Sequence, residues 1–495
     1  MTDLNSTAPL PAGAEAQATG TRHPATFAPA TFILLLALSV FGAVIGVQLI
    51  LQLGVTPNTS IIGALVAMIL ARVPLAIFAR YRSIHVQNLA QSAISAATFG
   101  AANSLLLPIG VPFLLGRSDL ILPMLVGAAL SMLLDAYLLY RMFDTRIFPA
   151  TGTWPPGVAA AEAIKAGDVG GRKAALLGLG ILVGMFGSWF KIPMSAFGVA
   201  FIGNIWALSM FGVGLLIRGY TQPLTGIDIS GYYVPHGFMV GAGLIALVQV
   251  ILAISRRGSA EAATGRSDAE LGRALGLGSI GYPAIAIVIA LLGGLASQMS
   301  LPMLTLFIVY AAFAAFMHAF AVALITLIVG ILIGFPPIAL GLLVGFSAST
   351  GPAFADMGYD LRAGFVLRGF GKDPAFELEG RKQQLYAAML AFLVAIPTVW
   401  LAHPAYFAQG LVPPVDKVYV AAINAGASSD VARMLMLWAI PAAIIQWIGG
   451  PRRQLGVLLA TGLLIPNPLA GWAVLAGIAI RVTVLKLKGE QATNS

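Results

Sequence analysis

Long apolar runs recur from Ala30 to Val484, and within them apolar and polar residues do not alternate. In lipid every backbone N–H and C=O must be paired internally, so only helices or a closed barrel can cross. A helix needs ~20 mostly apolar residues for a ~30 Å hydrocarbon core, whereas a barrel strand alternates with period two. The runs therefore select helices. The chain is 59% apolar and 9% charged, well beyond the ~45–50% apolar content of soluble domains. The expectation is an all-α polytopic membrane helical bundle of about 12 to 14 transmembrane elements.

Several runs do not fit one straight crossing. The segment 85–115 is too long and is interrupted by LPIGVP at 107–112, while 338–348 and 454–465 are too short and adjoin GFPPI and IPNP. Broken or re-entrant helices are expected there, and these are tolerated only inside protein or around a water-filled cavity.

The 28 basic residues outnumber the 19 acidic ones, a net charge of +9. They lie in short loops between apolar runs, which is the positive-inside pattern and not a nucleic-acid footprint. Arg80, Arg82, the loop 141–173, Arg256, Arg257, the loop 360–382, Arg452, Arg453 and the end with Arg481, Lys486 and Lys488 are assigned to the cytoplasm. The segments 54–59, 299–302 and 403–431 are assigned outside. Arg218 also falls inside by this rule, with one clear span before Arg256. The expected organisation is a disordered cytoplasmic tail at 1–28, a transmembrane half at 29–255, a cytoplasmic loop at 256–273, a second half at 274–485 and a tail at 486–495. Cysteine is absent, which removes disulfides and thiolate metal sites. No GxxxxGK[ST] segment occurs, so any transport draws on a gradient, with no cofactor.

PPGVAAAEAIKAGDVGGRK at 155–173 has an echo. TG, AIKAG and GRK at 151–173 recur in order as TG, DLRAG and GRK at 350–382, roughly 200 residues later. This is read as a two-fold internal repeat of parallel halves. Each copy opens with a hydroxyl before proline, Thr153 and Thr350, a helix-start pattern that leaves N–H groups facing outward. Such half-helix ends hold an anionic substrate group, or are interfacial helices with ordinary caps.

The polar residues of the spans carry the remaining candidates. Glu162 and Lys165 are three apart and form a helical surface pair on the simplest reading. Asp356 and Asp360 are four apart with no base one turn away on either side, so they repel unless a proton, a cation or a distant Arg intervenes. Asp135, near Arg141, is a functional carboxylate or one that reaches the interface. Asn88, Gln91, Ser92 and Ser95 form one amide-and-hydroxyl stripe, suited to binding peptide-like groups or to joining helices. Tyr233 and His236, in YYVPHGFMVGAG, are candidate substrate contacts, and His236 and His318 candidate proton relays. No His, Cys and Glu cluster has metal-ligand spacing. Gly180/Gly184, Gly237/Gly241 and Gly341/Gly345 are read as packing notches.

These motifs together resemble a known family. PPGVAAAEAIKAG is similar to the Pro-x-Gly-x-Ala-x-Ala-Glu-x-Leu-x-Ala-Gly segment of the oligopeptide transporter (OPT) family, which includes the yellow stripe-like (YSL) transporters of metal chelates. FADMGYDLRAG with the later RKQQ resembles its Ser-Asp-Met-x-x-Asp-Leu-Lys-x-Gly and Arg-Lys-Gln-Gln segments, and QNLAQSAISA resembles its Glu-Asn-Asn-x-x-Gln-Thr-x-Ala-Ser-Ala helix. The resemblance implies a secondary active, proton-coupled symporter that imports small oligopeptides or peptide-like compounds, with metal-chelate complexes as the alternative cargo. It implies roles for Asn88 and Gln91 with substrate and for Glu162, Asp356 and Asp360 in proton coupling. Val86 stands where the family has Glu, and GFGKDPAFELEG is inserted before RKQQ, marking a divergent bacterial-type member. The expected setting is a bacterial inner membrane with a cytoplasmic N-terminus. The expected partners are substrate and lipid, with a homo-oligomer allowed and no nucleic acid. A membrane-embedded transferase is the remote alternative, and no clustered catalytic set supports an enzyme.

Overall fold

A computed structural model describes residues 22–488 apart from 55, 57, 58, 72–75, 146, 153, 170, 203, 256–267, 317–319, 427 and 428. Thr153, Arg256 and His318 therefore lie outside the described residues, as do most of the tail at 1–28 and the loop at 256–273.

The described residues form helices and no strand beyond one isolated bridge between Phe143 and Phe148. In order they are α1 (Pro29–Leu53), α2 (Ser60–Ala71), α3 (Ile84–Phe99), α4 (Leu107–Leu114), α5 (Ile121–Met142), α6 (Pro155–Val169), α7 (Gly171–Trp189), α8 (Met194–Ile202), α9 (Ile205–Thr225) and α10 (Val234–Ser255). After these come α11 (Asp268–Leu292), α12 (Leu301–Phe316), α13 (Phe320–Ile333), α14 (Pro337–Ser349), α15 (Pro352–Leu367), α16 (Pro374–Phe407), α17 (Pro414–Ala425), α18 (Ser429–Arg453), α19 (Leu455–Leu463) and α20 (Pro468–Lys488). Eight described helices are long and apolar enough to cross a membrane, and four shorter ones are apolar. The protein is a multi-pass membrane protein. On α1, Ile33, Val40, Phe41 and Val44 are exposed while Leu35, Ala43 and Val47 are buried. Apolar side chains on an outer face face lipid at no cost, so no polar outer stripe is needed.

Two groups of helices pack closely among themselves. One comprises α1, α2, α3, α5, α6, α15 and α16, and the other α8, α9, α10, α18, α19 and α20. Each group draws on residues from both sides of 256–273, so the two sequence halves interleave.

The broken spans behave differently from one another. LPIGVP does not break its helix: Ile84–Leu114 runs through as one 31-residue element. Between α3 and α4 the chain widens into a π-helical stretch, Gly100–Leu106, and the Leu107 N–H reaches back to the Ala102 carbonyl. That five-residue spacing takes up the register that Pro108 disrupts. Pro337–Leu367 is broken, at Thr350 and Gly351, where Gly351 adopts φ +99°. That backbone is strained for any residue but glycine. The segment 360–382, expected as a loop, is mostly helix: only residues 368–373 join α15 to α16.

Arg218 is also relocated. Trp206, in the first turn of α9, stacks under Arg453 at 4.8 Å, whereas Arg218 lies more than three turns further along and pairs with Asp228 at 2.8 Å. It therefore lies toward the opposite end of the bundle from Arg453. The backbone and Arg218 hold the Asp228 carboxyl below its usual value, the Ser230 N–H contributing most.

The two echoed segments meet. α6 packs along α15, and a Cβ on Gly157 would come 2.2 Å from the Tyr359 carbonyl oxygen. The Gly237/Gly241 notch holds the α18 backbone and the Gly341/Gly345 notch meets Leu115 and Met124, but among the described residues nothing comes within 4 Å of a Cβ at Gly180 or Gly184. Gly157→Ala, which overpacks the α6–α15 contact, is expected to cost ~1–3 kcal/mol. A lower unfolding midpoint of the detergent-purified protein checks it, and an unchanged midpoint contradicts the contact.

Candidate functional site

The site is built where the polar stripe of α3 meets α15. A stripe of amides and hydroxyls inside an apolar span stays buried only if its groups find partners. Ser95 Oγ donates to Asp356 Oδ1 at 2.6 Å, and Gln91 Nε2 donates to Asp360 Oδ1 at 2.5 Å. Asn88 Nδ2 donates to Gln91 Oε1 at 2.8 Å and so fixes the orientation of that amide. Asp356 and Asp360 are 1% and 0% exposed. Each keeps its second oxygen, Oδ2, buried without a hydrogen-bond partner, and the Ser92 hydroxyl also bears on the Asp360 carboxylate. Two carboxyl groups one turn apart thus share a buried interior, each accepting from a neutral donor.

A second layer ties this pair to a buried charge cluster. Gln384 Nε2 donates to the Asp360 carbonyl at 2.6 Å and to Ser92 Oγ at 3.0 Å, while its Oε1 accepts from Arg368 Nη1 at 2.8 Å. Arg368 grips Glu377 with two bonds, Nε to Oε2 at 2.7 Å and Nη2 to Oε1 at 3.0 Å. Arg381 donates Nε to Glu377 Oε1 at 2.7 Å and Nη2 to Asp144 Oδ2 at 3.0 Å, and lies over the Phe143 ring at 5.0 Å. Two bases and two acids balance in charge, and none is more than 4% exposed. Glu377 belongs to GFGKDPAFELEG, the segment before RKQQ, so that segment supplies the centre of the cluster.

The N-terminal segment closes this end. Thr26 N and Oγ1 donate to Gln383 Oε1 and to the Gln383 carbonyl, both at 2.7 Å, and His23 lies 5.3 Å from the His85 ring and 5.2 Å from Phe376. Burial, and then the Arg368 charge, hold the His23 imidazole down at about 4.

The other expected site residues are placed less centrally. Glu162 is exposed and pairs with Lys165 at 2.9 Å, as its spacing suggested, and takes no part in the network of Asp356 and Asp360. Thr350 does not cap α15: its Oγ1 donates to the Ser347 carbonyl at 2.9 Å, closing α14. The α15 N-terminus is met by a protein acid, Asp135 Oδ2 accepting from Gly351 N at 2.8 Å, while Asp135 Oδ1 accepts from the Tyr282 hydroxyl at 2.5 Å. Arg141, the neighbour expected for Asp135, pairs with Glu270 at 2.6 Å. Tyr233, with φ +55°, and the buried His236 stand at the start of α10 with rings 5.5 Å apart. That helix packs on α13, α18 and α19, whereas α15 packs on α3, α5, α6 and α16. Val86 is buried in an apolar cluster that includes Leu34, Leu35 and Leu38. A cavity of about 570 Å³ between α7 and α8 is lined by Leu182, Val183, Phe186, Gly187, Ile192, Met194 and Phe197, and offers a peptide no polar side chain. Among the described residues no group of three or more His, Cys, Asp or Glu could hold a metal ion.

Comparison with known families points to a class. The model of the OPT oligopeptide transporter protein family matches residues 27–263. Over these residues, just under half of its length, the chain is similar to the OPT family. The matched segment carries the α3 stripe, α6 and the Tyr233–His236 turn. No curated protein and no solved structure matched the chain.

Two outcomes follow from the charge cluster. Glu377→Gln leaves two buried guanidiniums short of a counter-charge and is expected to destabilise by ~3–5 kcal/mol, against under ~0.5 kcal/mol for Glu162→Gln; thermal unfolding of both variants reads the difference. His23 binds a proton more readily unfolded than folded, so its docking is fully stabilising above its ordinary pKa of 6.5 and weakens as pH falls from there toward about 4. The loss amounts to roughly 3 kcal/mol across that window. Protease nicking near Thr26 that rises between pH 6.5 and 4, and that His23→Phe makes pH-independent, is the expected readout.

Proposed function

We propose that this protein is a proton-coupled importer of small oligopeptides or peptide-like compounds, and that Asp356 and Asp360 carry the coupling proton. The observation that supports this is the pair of unpartnered Oδ2 atoms, one turn apart on a single buried helix face. An unpaired charge in a membrane interior is costly, so two such acids seek a proton. Their other oxygens accept from Ser95 and Gln91. Both of those side chains belong to α3, so a change at α3 changes what each acid accepts.

On this reading Asn88, Gln91 and Ser95 position the acids, and substrate competes for their amides and hydroxyls. Proton arrival at the pair weakens the hold of charge-seeking donors and frees α3 to re-pair with peptide groups. The end bearing Arg80 and Arg82 is read as cytoplasmic by the positive-inside rule, which supports an N-terminus inside.

The test is uptake of a di- to hexapeptide mixture, with iron and nickel chelates in a parallel arm, into proteoliposomes under an imposed inward proton gradient. Wild type should accumulate peptide above equilibrium. Asp356→Asn and Asp360→Asn should lose accumulation while retaining measurable counterflow. Accumulation that survives both substitutions removes the pair from coupling, and accumulation in the chelate arm alone replaces peptide as the cargo.

A further inference from the structure

Helix 84–114 meets a second buried acid at its other end. Asp416, in the first turn of α17, is 0% exposed, and neither carboxylate oxygen has a hydrogen-bond partner. It presses on α4, where a Cβ on Gly110 would lie 2.0 Å from Asp416 Oδ2. Only glycine leaves the acid its seat. Asp416 lies beyond the residues matched by the family model, and no motif pointed to it.

Its surroundings exclude an ion pair. The elements packed on α17 are α4, α13, α14 and α18. The first three contain no acid or base, and on α18 Asp430 and Arg433 are exposed. On α17 itself Lys417 is exposed and Tyr419 is buried one turn on. Among the described residues no charged group bears on the acid. A single carboxylate offers too few oxygens for a metal cation, since Ca²⁺ takes 6–8 and Mg²⁺ demands an octahedral shell. A bare buried carboxylate costs several kcal/mol. A proton is the ligand that removes that cost with no further residue.

We propose that Asp416 is a second proton-binding station of the transport cycle, at the opposite end of helix 84–114 from the Asp356 and Asp360 pair. The idea rests on the proton-coupled reading above. From Ser95 to Gly110 the helix rises ~22 Å, so the two stations titrate independently. Along the way two buried hydroxyls without described partners, Ser104 on the π-helical stretch and Ser347 on α14, stand on elements that pack together and offer sites for bridging water. The step is proton transfer alone. An O–H bond forms on Asp416 when the proton arrives from water at that end and breaks when it leaves, and no electrons change hands.

Infrared spectroscopy of the reconstituted protein tests the site without any substrate. Wild type should show the carbonyl stretch of protonated carboxylic acids near neutral pH, and Asp416→Asn should remove one component that Asp356→Asn leaves in place. Gly110→Ala, which pushes on the carboxyl group while keeping the acid, should shift that component's frequency and guards against a misfolded Asp416→Asn. An unchanged band in Asp416→Asn, or one unmoved by Gly110→Ala, overturns the site. The second arm is proton-driven uptake of the di- to hexapeptide mixture, where loss of accumulation in Asp416→Asn supports the station and normal accumulation overturns its part in the cycle. Absence of proton-driven uptake in wild type would sink the coupled reading itself, while the infrared arm would still decide whether Asp416 holds a proton.

Discussion

The structure depends on the contact of two acids with a neutral polar stripe. Asp356 and Asp360 dock on Ser95 and Gln91 through bonds of 2.6 and 2.5 Å, and this joins α15 to α3 without ionic pairing. An ion pair there would fix both helices, because removing one partner of a buried pair strands the other. Neutral donors hold the acids more loosely and leave an oxygen on each for a proton. Rigidity is supplied one layer further out, where Arg368, Glu377, Arg381 and Asp144 lock the joint between α15 and α16 to the end of α5. Gln384 connects the two layers, accepting from Arg368 and donating to the Asp360 carbonyl.

The same division recurs along helix 84–114. A straight α-helix of this length carrying Pro108 and Pro112 would kink. The π-helical stretch absorbs the mismatch, so one element carries Gln91 and Ser95 at one end and Gly110 at the other. Phe113 and Phe407 stack at 4.6 Å, binding that far end to the end of α16. The partner break, at Gly351, is closed by Asp135 and so is an internal joint, not an open anion site.

Much of this was legible in the chain. The helical membrane class follows from runs that do not alternate, and the polar stripe of α3 stood out because amides in a span must find partners. The contact of α6 with α15 was not legible: the echo of TG and GRK suggested a repeat, which does not say that the copies touch. What stayed hidden depends on distance along the chain. Arg381 and Asp144 are 237 residues apart, and Arg368 and Glu377 looked like an ordinary charged loop until α16 proved to begin at Pro374. Asp416 follows two prolines and precedes Lys417, a pattern that suggests surface. Thr350 misled for a local reason: a hydroxyl before proline can close the preceding helix as readily as open the next.

The central claim, that peptide and proton cross together by way of the buried acids, is tested most directly by lumenal pH. Proteoliposomes loaded with a pH-sensitive dye and held without any imposed gradient would receive the peptide mixture from outside. Peptide entry that acidifies the lumen, and no acidification with Asp356→Asn under the same peptide load, is the predicted result. Peptide entry with a steady lumenal pH in wild type would contradict it.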